Sequence, residues 1–259
     1  MNSIDMPNPE VTGGAISLVD TENCTISDNL ISNNLMPDGK GAGIYLGPGA
    51  QANVFNNDMI NNQAMGGQSD GGGLYTESQG GYIYNNRFVR NMAGRNGGGI
   101  YLKGSTPPVN GTSFVQNAAI GNGGGAYLDA VDETGGFTNC VFHRNRAITN
   151  GGGIQISAGA PRFIHHSLTQ HQAGNVALLM IPEDPSYFGG GVSFADGSPT
   201  MINNVFSLNI PLQIKESPSS TQSPYLESNF FDSTSPFYYS DPQSTILDLA
   251  AINAMGLSN

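Results

Sequence analysis

The sequence predicts an all-β protein, a right-handed single-stranded parallel β-helix with roughly 8 coils of about 26–30 residues each. Two observations lead to this prediction. A glycine-rich unit returns along the chain, and a second unit, aromatic-x-x-Asn, falls in the intervals between its copies. No helical spacing of apolar residues fills those intervals, which hold Asn, Gly, Thr, Ser and short β-prone runs.

The glycine-rich unit reads NGGGIYL at residues 96–102. It recurs as DGGGLYT (70–76), NGGGAYL (122–128) and NGGGIQI (150–156), with weaker copies GGAISL (13–18), GAGIYL (41–46) and GGGVSF (189–194). The last glycines of the seven copies are 29, 30, 26, 26, 28 and 38 residues apart. A period in this range is typical of a solenoid with one supersecondary unit per repeat. Glycine permits a sharp bend before each strand.

The second unit reads FVRN (88–91), FVQN (114–117), FHRN (142–145) and FSLN (206–209), with looser copies at 26–29, 59–62 and 168–171. We expect its first residue to fill the bore and its asparagine to stack in a ladder that satisfies buried polar groups. A small residue two places later marks a third short strand, so we predict three strands per coil. Cys24 and Cys140 then share one column four coils apart, beyond disulfide reach.

We expect a single β-helix domain over residues 1–259, with regular coils at 11–211 and degenerate last coils and a C-terminal cap at 212–259. An excursion loop at 172–188 interrupts the repeat. The N-terminus lacks a signal peptide, and no amphipathic cap precedes the first glycine unit. Because an uncapped coil exposes strand edges, we expect a fragment of a longer secreted or cell-surface protein.

The charge balance argues against two classes of partner. The chain has 20 acidic and 9 basic residues and a net charge of −11, which should repel nucleic acid. No apolar run approaches the length that spans a bilayer, so no membrane insertion by this chain is expected. Two cysteines are too few for a disulfide framework.

The alternation of Gly-Gly-(Ala/Gly)-(Ile/Leu/Val) with Phe-x-x-Asn resembles the polymorphic outer-membrane proteins of intracellular bacteria and autotransporter-like adhesin passengers. The closing residues 240–254 are similar to the end of many secreted β-helix domains of the pectate-lyase-like superfamily. The resemblance implies a β-helix over about residues 11–255. It is compatible with an adhesin-like or structural module that presents a repeat face to glycans or proteins, and with a polysaccharide lyase or glycoside hydrolase.

We favour the non-catalytic module. The Asn-Thr-Asp, Asp-Asp, Gly-His-Gly and Arg-x-Lys motifs of polygalacturonases are missing, as is the Asp-His run of pectate lyases. Trp is absent, which argues against a deep sugar-stacking cleft. The sequence leaves the oligomeric state open, including stacking of copies end to end.

The first candidate site is a stripe of tyrosines on the outward side of the first strand. Tyr45, Tyr75, Tyr101 and Tyr127 recur once per coil. At about 4.8 Å per coil they would form an exposed aromatic platform for a glycan or protein ligand, or simply stack on one another for stability.

Charged residues supply the catalytic candidates. Glu77, Lys103 and Asp129 occupy successive coils beside the tyrosines. They form a surface charge ladder, or else Lys103 is a base flanked by two carboxylates. On another face, Arg90 and Arg144 suit bidentate recognition of a uronate carboxylate, or are solvated arginines.

Metal binding is the weakest prediction. Asp129, Asp132 and Glu133 in one loop, or Glu183 and Asp184 in the long loop, offer oxygens for Ca²⁺. Their spacing matches no known calcium loop, so we predict no cofactor and leave Ca²⁺ open. His165, His166 and His171 are close in sequence. His166 and His171 occupy ladder columns otherwise held by Asn, so we interpret them as structural substitutes rather than metal ligands.

Overall fold

The computed structural model describes residues 12–174, 189–217, 224–232, 238–240 and 245–247, the last two ranges as backbone only. The chain is a parallel β-solenoid of about seven turns with about 28 residues per turn, which confirms the predicted architecture. Register follows the predicted repeat. Ile44 pairs with Leu74, Leu74 with Ile100, and Ile100 with Ala126.

In the described part of the chain four sheets run along the axis, and each of the first six coils contributes one strand to each. The strands of the first sheet are Ile16–Leu18, Ile44–Leu46, Leu74–Thr76, Ile100–Lys103, Ala126–Asp129, Ile154–Ile156, Gly189–Phe194, Leu212–Glu216, Tyr238–Ser240 and Thr245–Leu247. Those of the second sheet are Cys24–Ser27, Gln51–Phe55, Gly80–Tyr84, Val109–Asn110, Gly136–Thr138, Arg162–Ile164, Thr200–Ile202 and Tyr225–Glu227.

The third sheet consists of Leu30–Ser32, Asp58–Ile60, Arg87–Val89, Ser113–Val115, Val141–His143, Ser167–Thr169, Val205–Ser207 and Phe230–Phe231. The fourth has two-residue strands at Leu35–Met36, Gln63–Ala64, Met92–Ala93, Ala118–Ala119, Arg146–Ala147 and Gln172–Ala173. All the pairings are parallel except the last, in which Thr245–Leu247 runs antiparallel to Tyr238–Ser240.

The bore is filled by columns of apolar side chains. Phe88, Phe114 and Phe142 stack at ring-centroid distances of 4.9 and 4.6 Å, and Ile44 and Leu74 of the first sheet are fully buried opposite them. Each such side chain contributes about 1.5–3 kcal/mol through removal from water. The prediction that the first residue of each Phe-x-x-Asn unit fills the bore is therefore confirmed from Met59 onward.

Left-handed corner residues explain the sharp turns between sheets. Between the second and third sheets and between the third and fourth, one residue per coil has φ between about 51° and 59°. Asparagine tolerates this region better than other non-glycine residues, which accounts for Asn56, Asn85 and Asn61. Arg90 and Arg144 occupy the same kind of corner, at φ 52° and 53°.

Two ladders of buried polar side chains follow these corners. In the ladder between the third and fourth sheets, Asn91 N and Nδ2 both donate to Asn117 Oδ1, and Asn117 repeats the pattern with Asn145. Its members are Asn34, Asn62, Asn91, Asn117, Asn145, His171 and Asn209. The predicted ladder is confirmed from Asn62 onward. In the first coil Asn34 takes the place predicted for Asn29, which belongs to the other ladder and donates to Asn57 Oδ1.

The prediction of three strands per coil is wrong, because the second sheet was not recognised. For the same reason, the first-coil copy of the second unit was assigned to the wrong sheet. Ile26 pairs with Val54 of the second sheet, and Ile31 is the residue opposite Met59. Cys24 lies opposite Ala52 in the second sheet and does not share a column with Cys140, and both are free thiols.

The predicted excursion begins later than residue 172. Gln172–Ala173 is a regular strand of the fourth sheet that pairs with Arg146–Ala147. Residues 175–188 lie outside the described part of the chain. Within the predicted degenerate last coils, Leu212–Glu216 is a strand of the first sheet, and residues 225–231 form two strands in different sheets.

Candidate functional site

The tyrosine stripe is buried rather than exposed. Tyr45, Tyr75, Tyr101 and Tyr127 pair in register, and neighbouring rings stack at centroid distances of 5.5, 4.8 and 4.9 Å. Only 5, 2 and 6% of Tyr45, Tyr75 and Tyr101 is accessible, and Tyr127 is half-buried. Since each ring covers the face of the next, the prediction of an exposed platform is wrong, and the alternative of self-stacking is confirmed.

Charged side chains lie next to the stacked tyrosines and contact them. Lys40 Nζ lies 5.2 Å from the centroid of the Tyr75 ring. Tyr45 donates its hydroxyl hydrogen to Glu77 Oε1 at 2.7 Å, and Tyr101 donates to Asp129 Oδ2 at 3.0 Å. Burial and then the nearby carboxylates raise the pKa of Tyr101 above its usual range. The Tyr101 phenol therefore stays protonated at any physiological pH.

The predicted charge ladder is formed in part. Lys103 Nζ donates to Glu77 Oε2 at 3.2 Å, while Asp129 accepts from Tyr101 and, at 3.0 Å, from Ser157 Oγ. Burial alone would raise the pKa of Glu77, but the hydrogen bonds from Tyr45 and Lys103 outweigh it and lower that pKa. The structure thus brings Glu77 and Lys103 together as a surface ion pair. A catalytic role for these residues stays a prediction.

The two predicted uronate-binding arginines lie on the edge between the third and fourth sheets. Arg90 Nε donates to Asn61 Oδ1 at 3.2 Å, and Arg144 Nε donates to Gln170 Oε1 at 2.6 Å. Both side chains are exposed and stand two coils apart. Their role in ligand binding stays a prediction.

The predicted calcium ligands do not converge. Asp132 accepts hydrogen bonds from Ser105 Oγ and from Thr134 N and Oγ1, and these bonds lower the pKa of Asp132. Asp129 instead faces the tyrosines. Within the described ranges, no three His, Cys, Asp or Glu side chains are placed to hold a metal ion. Glu183 and Asp184 lie outside those ranges.

His166 and His171 are ladder members, as predicted. Cys140 N donates to His166 Nδ1 at 2.9 Å, and Asn145 N donates to His171 Nδ1 at 3.0 Å. Burial lowers the pKa of His166 to about 4 and that of His171 to about 3, so both rings are neutral near pH 7. His165 is exposed at the preceding corner, where Asn203 Nδ2 lies 3.2 Å from its Nε2.

An open groove of about 600 Å³ lies on the outer face of the second sheet. Its floor comes from three successive coils. The lining residues are Pro108, Glu133, Thr134, Gly135, Gly136, Phe137, Thr138, Arg162 and Ile164. Gly136 has φ +120°, and a Cβ there would lie 2.2 Å from the carbonyl oxygen of Arg162, so the two strands approach closely at the floor.

The turn at residues 132–135 forms a ridge along this groove. On its other side lies a second depression of about 540 Å³, lined by Ala130, Asp132, Glu133, Gly159, Ala160, Asp196 and Gly197. Glu133 therefore lines both depressions. Arg162 is exposed on the floor of the first and forms no ion pair with any residue that the structure describes.

Aromatic rings, one exposed and two half-buried, continue this face along the solenoid axis. Ile83 pairs with Val109, and Val109 pairs with Phe137, so the strand Gly80–Tyr84 lies two coils from the groove floor, about 10 Å along the axis. On that strand 66% of Tyr82 is accessible. Tyr84 stacks on Phe55 of the next coil with a centroid distance of 4.8 Å.

Arg162 and these aromatic residues were missed as site candidates, because the second sheet was not recognised from the sequence. The signal was present in two coils. Two segments, QANVF (51–55) and GGYIY (80–84), are each followed directly by two asparagines. The next core residues, Met59 and Phe88, come shortly after. In later coils this strand shrinks to as few as two residues, Val109–Asn110, which carry no periodicity.

Comparison with known proteins supports the fold. The family described as right handed beta helix region matches residues 14–206, well over half of the chain. No curated protein and no solved structure matches. No helix in the part of the chain described here has the length and hydropathy to cross a membrane. By this match and by its strand topology, the chain belongs to the right-handed β-helix family.

Proposed function

We propose that the chain is a non-catalytic β-helix module, extracellular or displayed on a cell surface, that binds an extended glycan along the outer face of its second sheet. The observation that carries this proposal is the groove beside residues 132–135, which continues along the axis towards the exposed ring of Tyr82 and the half-buried Tyr84–Phe55 pair. Grooves that combine apolar surface with a few convergent polar groups are typical of ligand sites.

The chemistry of the face suits a sugar polymer. Tyr82 offers an exposed ring on which a pyranose ring can stack, and the half-buried Tyr84–Phe55 pair extends the apolar surface beside it. Asn110 and Thr138 follow Tyr84 in the same outward column and offer amide and hydroxyl groups. Arg162 at the far end supplies a guanidinium that recognises carboxylates by two parallel hydrogen bonds.

Rigidity also supports the proposal. The face belongs to a sheet whose backbone hydrogen bonds run to the coils on either side, so binding orders few residues. A preformed surface loses less conformational entropy on binding than a flexible loop does. A solenoid also presents an extended surface, which suits a linear polymer.

Calorimetric titration of the full chain with a panel of soluble neutral and uronate-bearing polysaccharides tests the proposal. Substitutions Tyr82→Ala and Arg162→Ala should weaken binding of the polysaccharide that the chain takes. Arg146→Ala is the matched control, because Arg146 is an exposed arginine on the fourth sheet, away from the groove. Binding that is unchanged in both groove variants, or absent across the panel, contradicts the proposal.

The same samples test the enzyme alternative. A polysaccharide lyase would generate unsaturated ends, and a hydrolase would generate new reducing ends, with or without added Ca²⁺. We expect neither. Product formation by the chain, lost in Lys103→Ala, would instead support the catalytic interpretation of Glu77, Lys103 and Asp129.

A further inference from the structure

The buried tyrosine stack has a chemical capacity that glycan binding does not use. Its four rings are neighbours at 4.8–5.5 Å with interplanar angles of 19–24°. The chain contains no Trp, so the phenols belong, with the thiols and thioethers, to its most readily oxidised side chains. Aromatic rings in face-to-face contact also allow an electron to pass directly from one to the next.

Loss of an electron from a phenol requires a base for the phenolic proton, and the stack provides two. Tyr45 donates to Glu77 at 2.7 Å, and Tyr101 donates to Asp129 at 3.0 Å. Because these rings are 5 and 6% accessible, the carboxylates and not bulk water are the nearest acceptors. The lowered pKa of Glu77 keeps that carboxylate ionised at neutral pH and ready to accept.

We propose that the tyrosine stack is a site of one-electron oxidation, along which the resulting hole moves from ring to ring. The co-reactant is a strong one-electron oxidant, such as an oxidised metal complex or a peroxidase intermediate. Tyr101 gives one electron to the oxidant and its phenolic proton to Asp129. This leaves a neutral phenoxyl radical, a protonated carboxyl group and an oxidant reduced by one electron.

Movement of the radical along the stack also conserves electrons and protons. One electron moves from Tyr45 through the ring of Tyr75 to the Tyr101 radical. The proton of Tyr45 passes to Glu77, and the proton held by Asp129 returns to Tyr101. Each proton therefore travels only the length of its own hydrogen bond, while the electron crosses two ring contacts.

Accessibility predicts how such a radical behaves. Tyr127, at one end of the stack, is half-buried and is the ring that an external oxidant reaches most easily. The remaining rings are shielded from other molecules, so a radical that moves onto them cannot couple with a radical on a second chain. We therefore expect a long-lived tyrosyl radical on the stack and short-lived radicals on exposed tyrosines.

Flash oxidation of the full chain by photogenerated tris(bipyridyl)ruthenium(III) tests this inference, with transient absorption and electron paramagnetic resonance as readouts. The double substitution Tyr45→Phe and Tyr101→Phe preserves both rings, removes both phenols that donate to a carboxylate, and should remove most of the long-lived radical. Tyr225→Phe is the matched control, because Tyr225 donates to Glu227 at 2.9 Å but is 56% accessible. It should remove only a short-lived fraction.

A second variant separates the chemistry from the packing. Asp129→Asn keeps all four rings, but the amide cannot take the proton, so the radical should form more slowly near pH 7. The rate of radical formation should increase again as the pH rises. Circular dichroism confirms that each variant is folded. A long-lived radical that survives in the double variant Tyr45→Phe and Tyr101→Phe, or one that disappears in Tyr225→Phe, would overturn the proposal, as would an unchanged rate in Asp129→Asn.

Discussion

Replacement of one ladder asparagine should measure how much the polar ladders stabilise the solenoid. Asn117 is fully buried, and its side chain takes part in four hydrogen bonds. Oδ1 accepts from Asn91 N and Nδ2 at 2.9 and 3.1 Å, and Nδ2 donates to Asn145 Oδ1 and to the Phe88 carbonyl, both at 3.0 Å. Asn117→Ala removes all four.

The magnitude follows from the groups left behind. The substitution leaves the buried Asn91 N–H and the Phe88 carbonyl without these partners. An unsatisfied buried donor or acceptor costs about 1–3 kcal/mol, so Asn117→Ala should lower the free energy of unfolding by about 2–6 kcal/mol. That is a large fraction of the about 5–15 kcal/mol that stabilises a typical domain.

Urea unfolding followed by circular dichroism and by tyrosine fluorescence measures the loss, and the fluorescence reports on coils close to the tyrosine stack. Gln116→Ala is the matched control, since Gln116 precedes Asn117 at the same corner but is exposed. It should change stability by no more than about 0.5 kcal/mol. If Asn117→Ala is no more destabilising than Gln116→Ala, water satisfies the ladder and our interpretation of it is wrong.

Three further predictions concern protonation, backbone conformation and surface charge. Because the folded-state pKa values of His166 and His171 are about 4 and about 3, below an unfolded value near 6.5, the unfolded chain binds these protons first. Their contribution to stability is therefore complete above about pH 6.5 and is lost as the pH falls towards 4 and 3, which urea unfolding at a series of pH values measures. His171→Asn should reduce that dependence. Gly136→Ala should destabilise the chain by more than Gly104→Ala, because both positions have positive φ but only Gly136 lacks room for a Cβ. Equal unfolding midpoints for these two variants would contradict the close approach at the groove floor. Lys103→Ala should cost no more than about 1 kcal/mol in the same assay, since its ion pair with Glu77 is partly exposed.

The predictable part of this fold is the part that repeats strictly. The glycine units and the Phe-x-x-Asn units identify the first and third sheets, because each coil needs the same bend, bore filler and ladder amide at the same place. The second sheet escaped prediction because Val109–Asn110 and Gly80–Tyr84 share neither length nor composition. Strand pairing in the second sheet is fixed by contacts with the neighbouring coils, and these contacts leave no recognisable pattern in the local sequence.

The tyrosine stripe shows a different limit. Alternation along Ile100–Lys103 correctly places Tyr101 on the outward side of its strand. Alternation does not say whether that side is covered, because coverage depends on the rings above and below and on flanking groups such as Lys40 and Asp129. The period of two identifies a face of a sheet, and only packing decides its exposure.

The same contrast indicates where a ligand site can arise in a solenoid. A ladder residue such as Asn117 is hydrogen-bonded to the coils on both sides, so a substitution there lowers the stability of the fold. The outward column of the second sheet is not part of a ladder, and its residues differ from coil to coil. They include Thr25, Asn53, Tyr82, Arg162 and Thr200. The groove lies in this column, where the turn at residues 132–135 also departs from the regular coil. Because variation there leaves the bore and the ladders intact, the second-sheet face can acquire binding specificity without loss of the fold, which is why we place the glycan site on it and not on the conspicuous tyrosines.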